Sequence, residues 1–388
     1  MNSKTLGALF IISGTAIGGG MLAIPEQLYM SGVFSGIFAL CLCWFFMTLS
    51  AYLLLKSNIE LKNDVDFFTI IQKTLGSTHQ KIFSFFYLLL LYALLAAYLK
   101  GGAYYLTIFF SDAIFEGYYL IALSIIMSVF LLCGLNYIDN INKVLFVVLL
   151  IVLFGLQSDL LEHFTFPSHF NFVDVNALYH SLPLLVTAFG FAIVVPFLAQ
   201  YINYNKKQLS FSLMIGSVLP LTLYVIWFVL AIGNFSTLEV LTSLLQEKDS
   251  FMHLLMTITS SSTIHIFSVL ALYTSFLGVS ASLYHFLNDA TSRIGWSYFL
   301  KAIKKYILCA LVFIPAILFL YLYPKGFAQF LSLAGIFVAI ILGIYPILIY
   351  RALFTIGNKE KYVLLISMLF FIMIIIIEVM NILQYRLD

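Results

Sequence analysis

The chain has 388 residues, of which 63% are hydrophobic and only 9% are charged, and its formal net charge is +2. Soluble domains carry about 25% charged residues, so this composition excludes a soluble globular protein and predicts one surrounded by membrane lipid. We expect no nucleic-acid partner.

Apolar runs predict about eleven transmembrane helices, since about 20 apolar residues are needed to cross a bilayer. The runs lie near residues 6–29, 33–55, 82–110, 118–135, 143–157, 178–202, 211–233, 263–288, 303–323, 327–351 and 362–384. Between the second and third spans, Phe67–Leu75 is predicted as a short amphipathic helix on the membrane surface. We expect no cleavable signal peptide. The fold class is therefore an all-α polytopic membrane protein, with one integral membrane domain over residues 1–388.

The first span is interrupted where a membrane helix should be continuous. Gly14, Gly18, Gly19 and Gly20 fall close together, and Pro25 follows. Each glycine weakens a helix by about 1 kcal/mol relative to alanine. Lipid cannot satisfy the freed backbone groups, so such a break persists only where it lines a protein cavity. Secondary transporters hold substrate and coupling ion at breaks of this kind, and the sequence therefore predicts a binding site here.

The sixth span carries a second interruption, Gly190 followed by Pro196. Breaks five spans apart predict an inverted repeat of five plus five helices, with discontinuous helices 1 and 6. The first repeat then covers residues 1–157 and the second covers 178–351, and the helix at 362–384 lies outside the repeat. In the alternative interpretation Gly190 and Pro196 only kink a packing helix, since both residue types are common in membrane helices.

The positive charges of the loops predict the orientation. Most of the 19 lysines and arginines fall in loops on the same side as the N terminus, and only Lys248, Lys325 and Arg386 fall on the other side. We therefore expect a multi-pass protein of the bacterial inner membrane, with a cytoplasmic N terminus and a periplasmic C terminus.

Five blocks of the sequence resemble, in the same order, the bacterial hydroxy/aromatic amino acid permeases. These blocks are Gly14–Pro25, Ala96–Leu99, Phe189–Phe191, Thr274–Val279 and Tyr323–Phe327. The resemblance implies the fold first known from a bacterial leucine transporter. It also implies cation-coupled symport of an aromatic amino acid by alternating access, with tyrosine as the first expectation.

The resemblance also implies a substrate site at the two breaks. The amides of Ile17, Gly18 and Gly19 would bind the substrate carboxylate, because the start of a half-helix carries unpaired donors and partial positive charge. The substrate ammonium would lie on carbonyls near Gly14 and Thr187. Aromatic side chains of the sixth span would cover the substrate ring. The expected substrate-binding residues are Gly14, Thr15, Ile17, Gly18, Gly19, Ala97, Gly101, Thr187, Phe189, Gly190, Phe191 and Ala192.

A coupling-ion site is expected at Thr274 and Ser275 in the eighth span, together with carbonyls of Ile12 and Thr15. Hydroxyl and carbonyl oxygens suit a hard cation such as sodium. Alternatively, these hydroxyls only bond carbonyls of their own helix. The coupling ion remains open between Na⁺ and H⁺, and we expect no other metal and no cofactor.

One departure from the family pattern affects specificity. Where relatives carry a histidine and small polar residues after the Phe-Gly-Phe block, this chain has Ala192, Ile193 and Val194. The change makes the pocket more apolar. Tryptophan, phenylalanine or another neutral amino acid therefore stands as an alternative substrate.

Lys100, Glu26 and Glu378 lie within spans, and such charged residues indicate function by default. Lys100 in the third span is expected to snorkel to the interface or to pair with a neighbouring helix. Glu26 follows Pro25 and would face an outer vestibule. Glu378 lies in the last span, outside the repeat, and is expected to be less relevant to function.

Other protein classes fit less well. No span contains the paired acids or histidine cluster that a membrane-embedded metalloenzyme needs, so we expect no enzyme. A nontransporting amino-acid receptor remains an alternative. We expect a monomer or weak oligomer.

Overall fold

A computed structural model describes residues 3–61, 66–110, 116–162, 164–165, 174–235, 251, 254–255, 261–292, 298–323 and 326–384. Within these ranges the chain is helical with short turns, and no strand is present. Ten helices in these ranges are long and apolar enough to cross a membrane. With the broken first span they make up the eleven predicted spans. Lys248, Lys325 and Arg386, used above for orientation, lie outside the described residues.

Eight spans are continuous helices. The second to fifth are Val33–Leu61, Ser77–Phe110, Glu116–Cys133 and Leu135–Glu162, and the seventh to ninth and the eleventh are Lys206–Gly233, Ser261–Ser292, Tyr298–Leu322 and Asn358–Gln384. The tenth consists of Phe327–Val338, a π-helical stretch Ala339–Ile344 and Tyr345–Leu353. The predicted amphipathic helix Phe67–Leu75 is confirmed, and the Asp66 side chain caps it by accepting from the Thr69 N–H at 2.8 Å.

The predicted boundary between the fourth and fifth spans is wrong. The fourth helix ends at Cys133 and the fifth begins at Leu135, whereas the sequence placed a loop from 136 to 142. The turn consists of Gly134 alone, whose φ of +108° is a conformation that favours glycine. Polar residues at 136, 139, 140 and 142 interrupt the apolar run after it, but the backbone remains helical, and a search for continuous apolar runs does not detect such an extension.

The first span is discontinuous, as predicted. Its first helix, Ser3–Ala16, is followed by Gly18 in an extended conformation, with φ −177° and ψ −153°. Two short helices, Gly19–Leu22 and Ile24–Leu28, then lead to a 3₁₀ turn at Tyr29–Ser31.

The sixth span is also broken rather than kinked. The helix Val175–Ala188 gives way to a 3₁₀ turn at Gly190–Val194, after which Val195–Tyr201 is α-helical again. Pro196 lies in the first turn of this last piece, where a missing backbone donor costs little.

Neighbouring spans enclose the two broken ones. The first span packs against the seventh, the sixth packs against the second and tenth, and the third lies between the eighth and tenth. In the second half of the third span, Lys100 Nζ lies 2.5 Å from the Glu116 carboxylate of the fourth span. Lys100 therefore pairs with a neighbouring helix, one of the two outcomes expected for it.

Candidate functional site

The two interruptions meet in the centre of the molecule. A methyl group built at Gly20 of the first span would lie 3.4 Å from the Cα of Ala188, where the first part of the sixth span ends. This is ordinary van der Waals contact, so the backbones of the two breaks face each other with only small groups between them.

One tyrosine of the seventh span joins both breaks. Tyr224 is fully buried, and its hydroxyl lies 2.6 Å from the carbonyl oxygen of Ala16 and 3.1 Å from that of Ala188. Each of these residues ends a helix, where carbonyls lack an intrahelical partner. A hydroxyl has one proton, so the two carbonyls share a single donor. The ring of Phe189 packs on the Tyr224 ring, with centroids 5.1 Å apart.

The seventh span also holds the second part of the first span. Trp227 is fully buried, and its indole Nε1–H donates to the Met21 carbonyl at 3.0 Å. Tyr224 and Trp227 were absent from the residues predicted from sequence. No local pattern identifies them, because their partners are backbone atoms of distant spans.

Gly18 and Gly19 lie against the eighth span. The Gly19 N–H donates to the Ser275 Oγ at 2.9 Å, and a methyl group at Gly18 would overlap the same hydroxyl. A methyl group at Gly19 would lie 2.6 Å from the Tyr98 ring. The glycines are therefore needed because two neighbouring spans approach this backbone closely. Tyr98 also faces the Ser275 side chain. It lies in the Ala96–Leu99 block that resembles the permeases, but it was not among the predicted substrate-binding residues.

The predicted carboxylate site is already partly satisfied by the protein. The Ile17 N–H donates to the Ser13 carbonyl at 2.9 Å, and the Gly19 N–H donates to Ser275. The Ser275 oxygen thus occupies the acceptor position that a carboxylate oxygen would take at Gly19. A substrate carboxylate would have to replace that hydroxyl.

The predicted residues of the sixth span are mostly buried. Phe189, Phe191 and Ala192 are fully enclosed, whereas Gly190 is partly exposed. The Thr187 hydroxyl lies 3.1 Å from the Pro183 carbonyl of its own helix and 3.0 Å from the Leu331 carbonyl of the tenth span. Thr187 thus connects the sixth-span break to the tenth span.

The third-span residues predicted for the site are packed in the core. Ala97 is fully buried. A methyl group at Gly101 would lie 3.0 Å from the Phe327 ring and 3.1 Å from the Leu272 side chain. Tyr98, between Ala97 and Gly101 in sequence, lies against Gly19 of the first-span break.

The residues predicted for the coupling ion face different neighbours. The Thr274 hydroxyl donates to the Ala271 carbonyl of its own helix at 3.2 Å, and Ser275 contacts the Gly18–Gly19 segment. Ile12 packs against Gly216 of the seventh span.

Two other predicted residues lie on further sides of the first helix. Gly14 faces the Phe146 ring of the fifth span, and Thr15 is exposed, with its hydroxyl donating to the Ile11 carbonyl at 2.7 Å. The ion ligation assigned to Ile12, Thr15, Thr274 and Ser275 stays a prediction.

Replacing Tyr224 with phenylalanine should destabilise the protein. The change leaves two buried carbonyls without their shared donor, and an unsatisfied buried group costs about 1–3 kcal/mol. We expect a lower apparent Tm in detergent for Tyr224→Phe, and nearly no change for Tyr362→Phe at an exposed tyrosine. A parental Tm for Tyr224→Phe would mean that the carbonyls of Ala16 and Ala188 do not depend on this hydroxyl.

Replacing Gly18 with alanine should also destabilise the protein, because the added methyl group displaces Ser275. Overpacking of this kind costs about 1–3 kcal/mol. Gly278→Ala in the eighth span is the matched control, since its methyl group would meet no atom within 4 Å. The loss should be smaller when Gly18→Ala is combined with Ser275→Ala, because contacting residues are not additive. Equal losses in both backgrounds would contradict the contact.

Known proteins resemble the chain over nearly its whole length. Tyrosine-specific transport system 1 of Haemophilus influenzae is 31% identical over 360 residues, which cover 90% of this chain and 88% of the relative. Glutamine transporter 2 of Aliivibrio fischeri is 31% identical over 315 residues, covering 76% and 77%. The tryptophan-specific transport protein of Pseudomonas aeruginosa is 29% identical over 374 residues, covering 89% and 86%. These relatives are transporters, in agreement with the prediction that the chain is not an enzyme.

The fold also resembles a solved structure. Mhp1, a nucleobase-cation-symport-1 family transporter in a closed conformation with bromovinylhydantoin bound, matches with a TM-score of 0.59 at 12% identity, covering 97% of this chain and 90% of that one. This likeness confirms the predicted leucine-transporter-like fold. Residues 1–385 match the tryptophan/tyrosine permease family, and the chain therefore belongs to that family.

Proposed function

We propose that this protein is a secondary active transporter that imports an aromatic amino acid, tyrosine by preference, in symport with a cation. The observation that carries the proposal is the meeting of two broken helices at a buried site, where the Gly19 amide is held only by a serine hydroxyl. A backbone amide that donates to a replaceable hydroxyl can instead donate to the carboxylate of a zwitterionic amino acid. The likeness to a tyrosine-specific transport system over 90% of the chain supports the substrate class.

The chemistry of the site suits an amino acid with an aromatic side chain. A carboxylate that replaces Ser275 at Gly19 would form a charge-assisted hydrogen bond, which is stronger than the neutral one it displaces. Carbonyls at the ends of the broken helices, where the backbone dipole is negative, suit the ammonium group. Phe189 and Tyr98 supply ring faces on the sixth and third spans, and aromatic contacts add about 0.5–1.5 kcal/mol each.

An alternative substrate is tryptophan, phenylalanine or another neutral amino acid. Phe191 and Ala192 enclose the sixth-span break with apolar groups, which favour a phenyl or indole ring over a phenol. The relatives include transporters named for tryptophan and for glutamine, so specificity varies among similar chains.

The proposal places the N terminus in the cytoplasm and the C terminus in the periplasm of an inner membrane, with the protein working as a monomer or weak oligomer. For the coupling cation, the hydroxyls of Thr274 and Ser275 already have partners in the protein. The Thr274 hydroxyl donates its proton to a carbonyl and the Ser275 oxygen accepts one N–H, so both oxygens keep a lone pair for a cation, and the proposal leaves the coupling ion open between Na⁺ and H⁺.

Uptake into proteoliposomes tests the function. We expect labelled tyrosine to accumulate above its external concentration when a cation gradient is imposed, with competition by tryptophan and phenylalanine. Sodium and proton gradients are imposed separately. Binding without accumulation under either gradient would indicate a receptor.

Replacing Ala192 with histidine or serine should shift specificity toward tyrosine. A buried phenol without a partner loses roughly 1–3 kcal/mol, and either variant supplies one, serine with little added volume. We expect the ratio of inhibition constants for phenylalanine and tyrosine to rise several-fold in favour of tyrosine. An unchanged ratio in both variants, with transport retained, would show that position 192 does not face the substrate ring.

A further inference from the structure

A polar cavity of about 280 Å³ lies apart from the two breaks, at the end of the molecule opposite the N terminus. It is formed where the first, sixth, tenth and eleventh spans come together. A water molecule takes up ~30 Å³, so the cavity has room for several. The polar residues that matter here are Gln27, His180, Gln329, Ser332, Glu378 and Asn381.

Glu378 of the eleventh span is the acid of this cavity. It is only 4% exposed, and its Oε2 accepts from Ser332 Oγ of the tenth span at 2.5 Å and from Asn381 Nδ2 of its own helix at 3.0 Å. The Asn381 side-chain oxygen in turn contacts Nδ1 of His180 on the sixth span. Hydrogen bonds therefore connect one carboxyl group to two spans of the second predicted repeat.

No fixed positive charge balances this acid within the described part of the cavity. The other titratable groups that face it are His180 from the sixth span and Tyr323 after the ninth, and the first and tenth spans contribute neutral side chains. A charged carboxylate without a cationic partner is costly to bury. A proton, drawn from water in the cavity, is the simplest means of neutralising it.

A short path connects Glu378 to the substrate region. Ser332, which donates to Glu378, follows Leu331, whose carbonyl lies 3.0 Å from the Thr187 hydroxyl. Thr187 precedes Ala188, whose carbonyl faces the Tyr224 hydroxyl. The charge on Glu378 thus acts on the tenth span at the point where that span is bonded to the sixth-span break.

We propose that Glu378 binds and releases the proton that is carried with the amino acid, an inference that rests on the proposed cation symport. The hydrogen bonds from Ser332 and Asn381 both end on Oε2, so Oε1 is the oxygen that takes the proton. A hydronium ion in the cavity gives its proton to Oε1 and leaves as water, and the carboxylate becomes neutral. The neutral form is buried at lower cost, so closure of the cavity favours it. Release returns the proton to water on the opposite side of the membrane.

Among the described residues, the polar side chains at the breaks are the hydroxyls of Ser275, Tyr98, Tyr224 and Thr187 and the indole of Trp227. None of these residue types titrates near neutral pH unless perturbed. Glu26 is the acid of the described first span. It faces Tyr29 and Tyr105 and is partly exposed, and it serves as the rival in the test.

The test compares Glu378→Gln with Glu360→Gln in proteoliposomes. Both changes neutralise an acid of the eleventh span, and Glu360 is exposed. We expect Glu378→Gln to exchange labelled tyrosine for unlabelled tyrosine but to lose accumulation driven by a pH gradient. It should also lose the proton uptake that accompanies tyrosine entry, whereas Glu360→Gln should keep both.

A second variant retains the acid and removes one donor. In Ser332→Ala the charged form of Glu378 loses a hydrogen bond, so the pH at half-maximal uptake should rise. A purely structural role would lower the rate without moving this pH. If Glu378→Gln cannot be purified, the pH dependence of uptake by Ser332→Ala provides the test. An unchanged pH at half-maximal uptake in this variant overturns the proposal.

Other outcomes overturn the proton assignment and leave amino-acid transport intact. These are parental accumulation by Glu378→Gln, accumulation in the parent driven by sodium alone, and loss of coupling in Glu26→Gln with Glu378→Gln unaffected. If the parent protein neither exchanges nor accumulates an aromatic amino acid, the proposed function itself fails, and the role of Glu378 fails with it.

Discussion

Lipid offers no hydrogen bonds, and the rest of this structure depends on that constraint. Two helices end in the middle of the protein, so their terminal carbonyls must be satisfied by other spans. Tyr224 serves the carbonyls of Ala16 and Ala188 with one hydroxyl, and Trp227 serves Met21. The seventh span therefore holds the two breaks at a fixed separation. A change in that separation must alter the geometry of a shared hydrogen bond.

The site also requires that neighbouring spans approach the backbone of the first-span break closely. The Gly18–Gly19 segment is contacted by Ser275 from the eighth span and Tyr98 from the third. Side chains at these glycines would separate the spans and remove the Gly19–Ser275 hydrogen bond. The hydrogen bond is neutral, and neutral bonds contribute only about 0.5–1.5 kcal/mol net. A carboxylate can therefore compete for the amide without unfolding the break.

The two helix breaks and the Glu378 cavity are proposed to have different roles, the first in recognising the amino acid and the second in binding a proton. In the proposed mechanism, backbone groups and hydroxyls at the break recognise a zwitterion without changing their own charge. The carboxyl group in the cavity is proposed to change charge by binding a proton, and its environment contains no lysine or arginine among the described lining residues. The tenth span contacts both regions, through Leu331 to Thr187 and through Ser332 to Glu378. Adjacent residues of one helix thus link recognition to the proposed proton site.

The sequence alone determined the class of protein, the eleven spans, the two breaks and the family. Hydropathy, glycine and proline are local properties, and a bilayer turns them directly into helices and interruptions. Through the resemblance to the permeases it also predicted that Ser275 lies near the first span, where the Gly19 N–H donates to the Ser275 Oγ.

Only the tertiary structure decided the partners of these residues. Tyr224 and Trp227 bond backbone carbonyls more than 35 residues away in the chain, and no spacing in the sequence encodes such a pair. Gly101, expected to line the pocket, is covered by Phe327 and Leu272 because three spans converge there. Glu378 was seen only as an acid in the last span, and its contacts with Ser332 and Asn381 arise from packing. Helix formation depends on the local chain, whereas hydrogen bonds between spans depend on how the helices pack together.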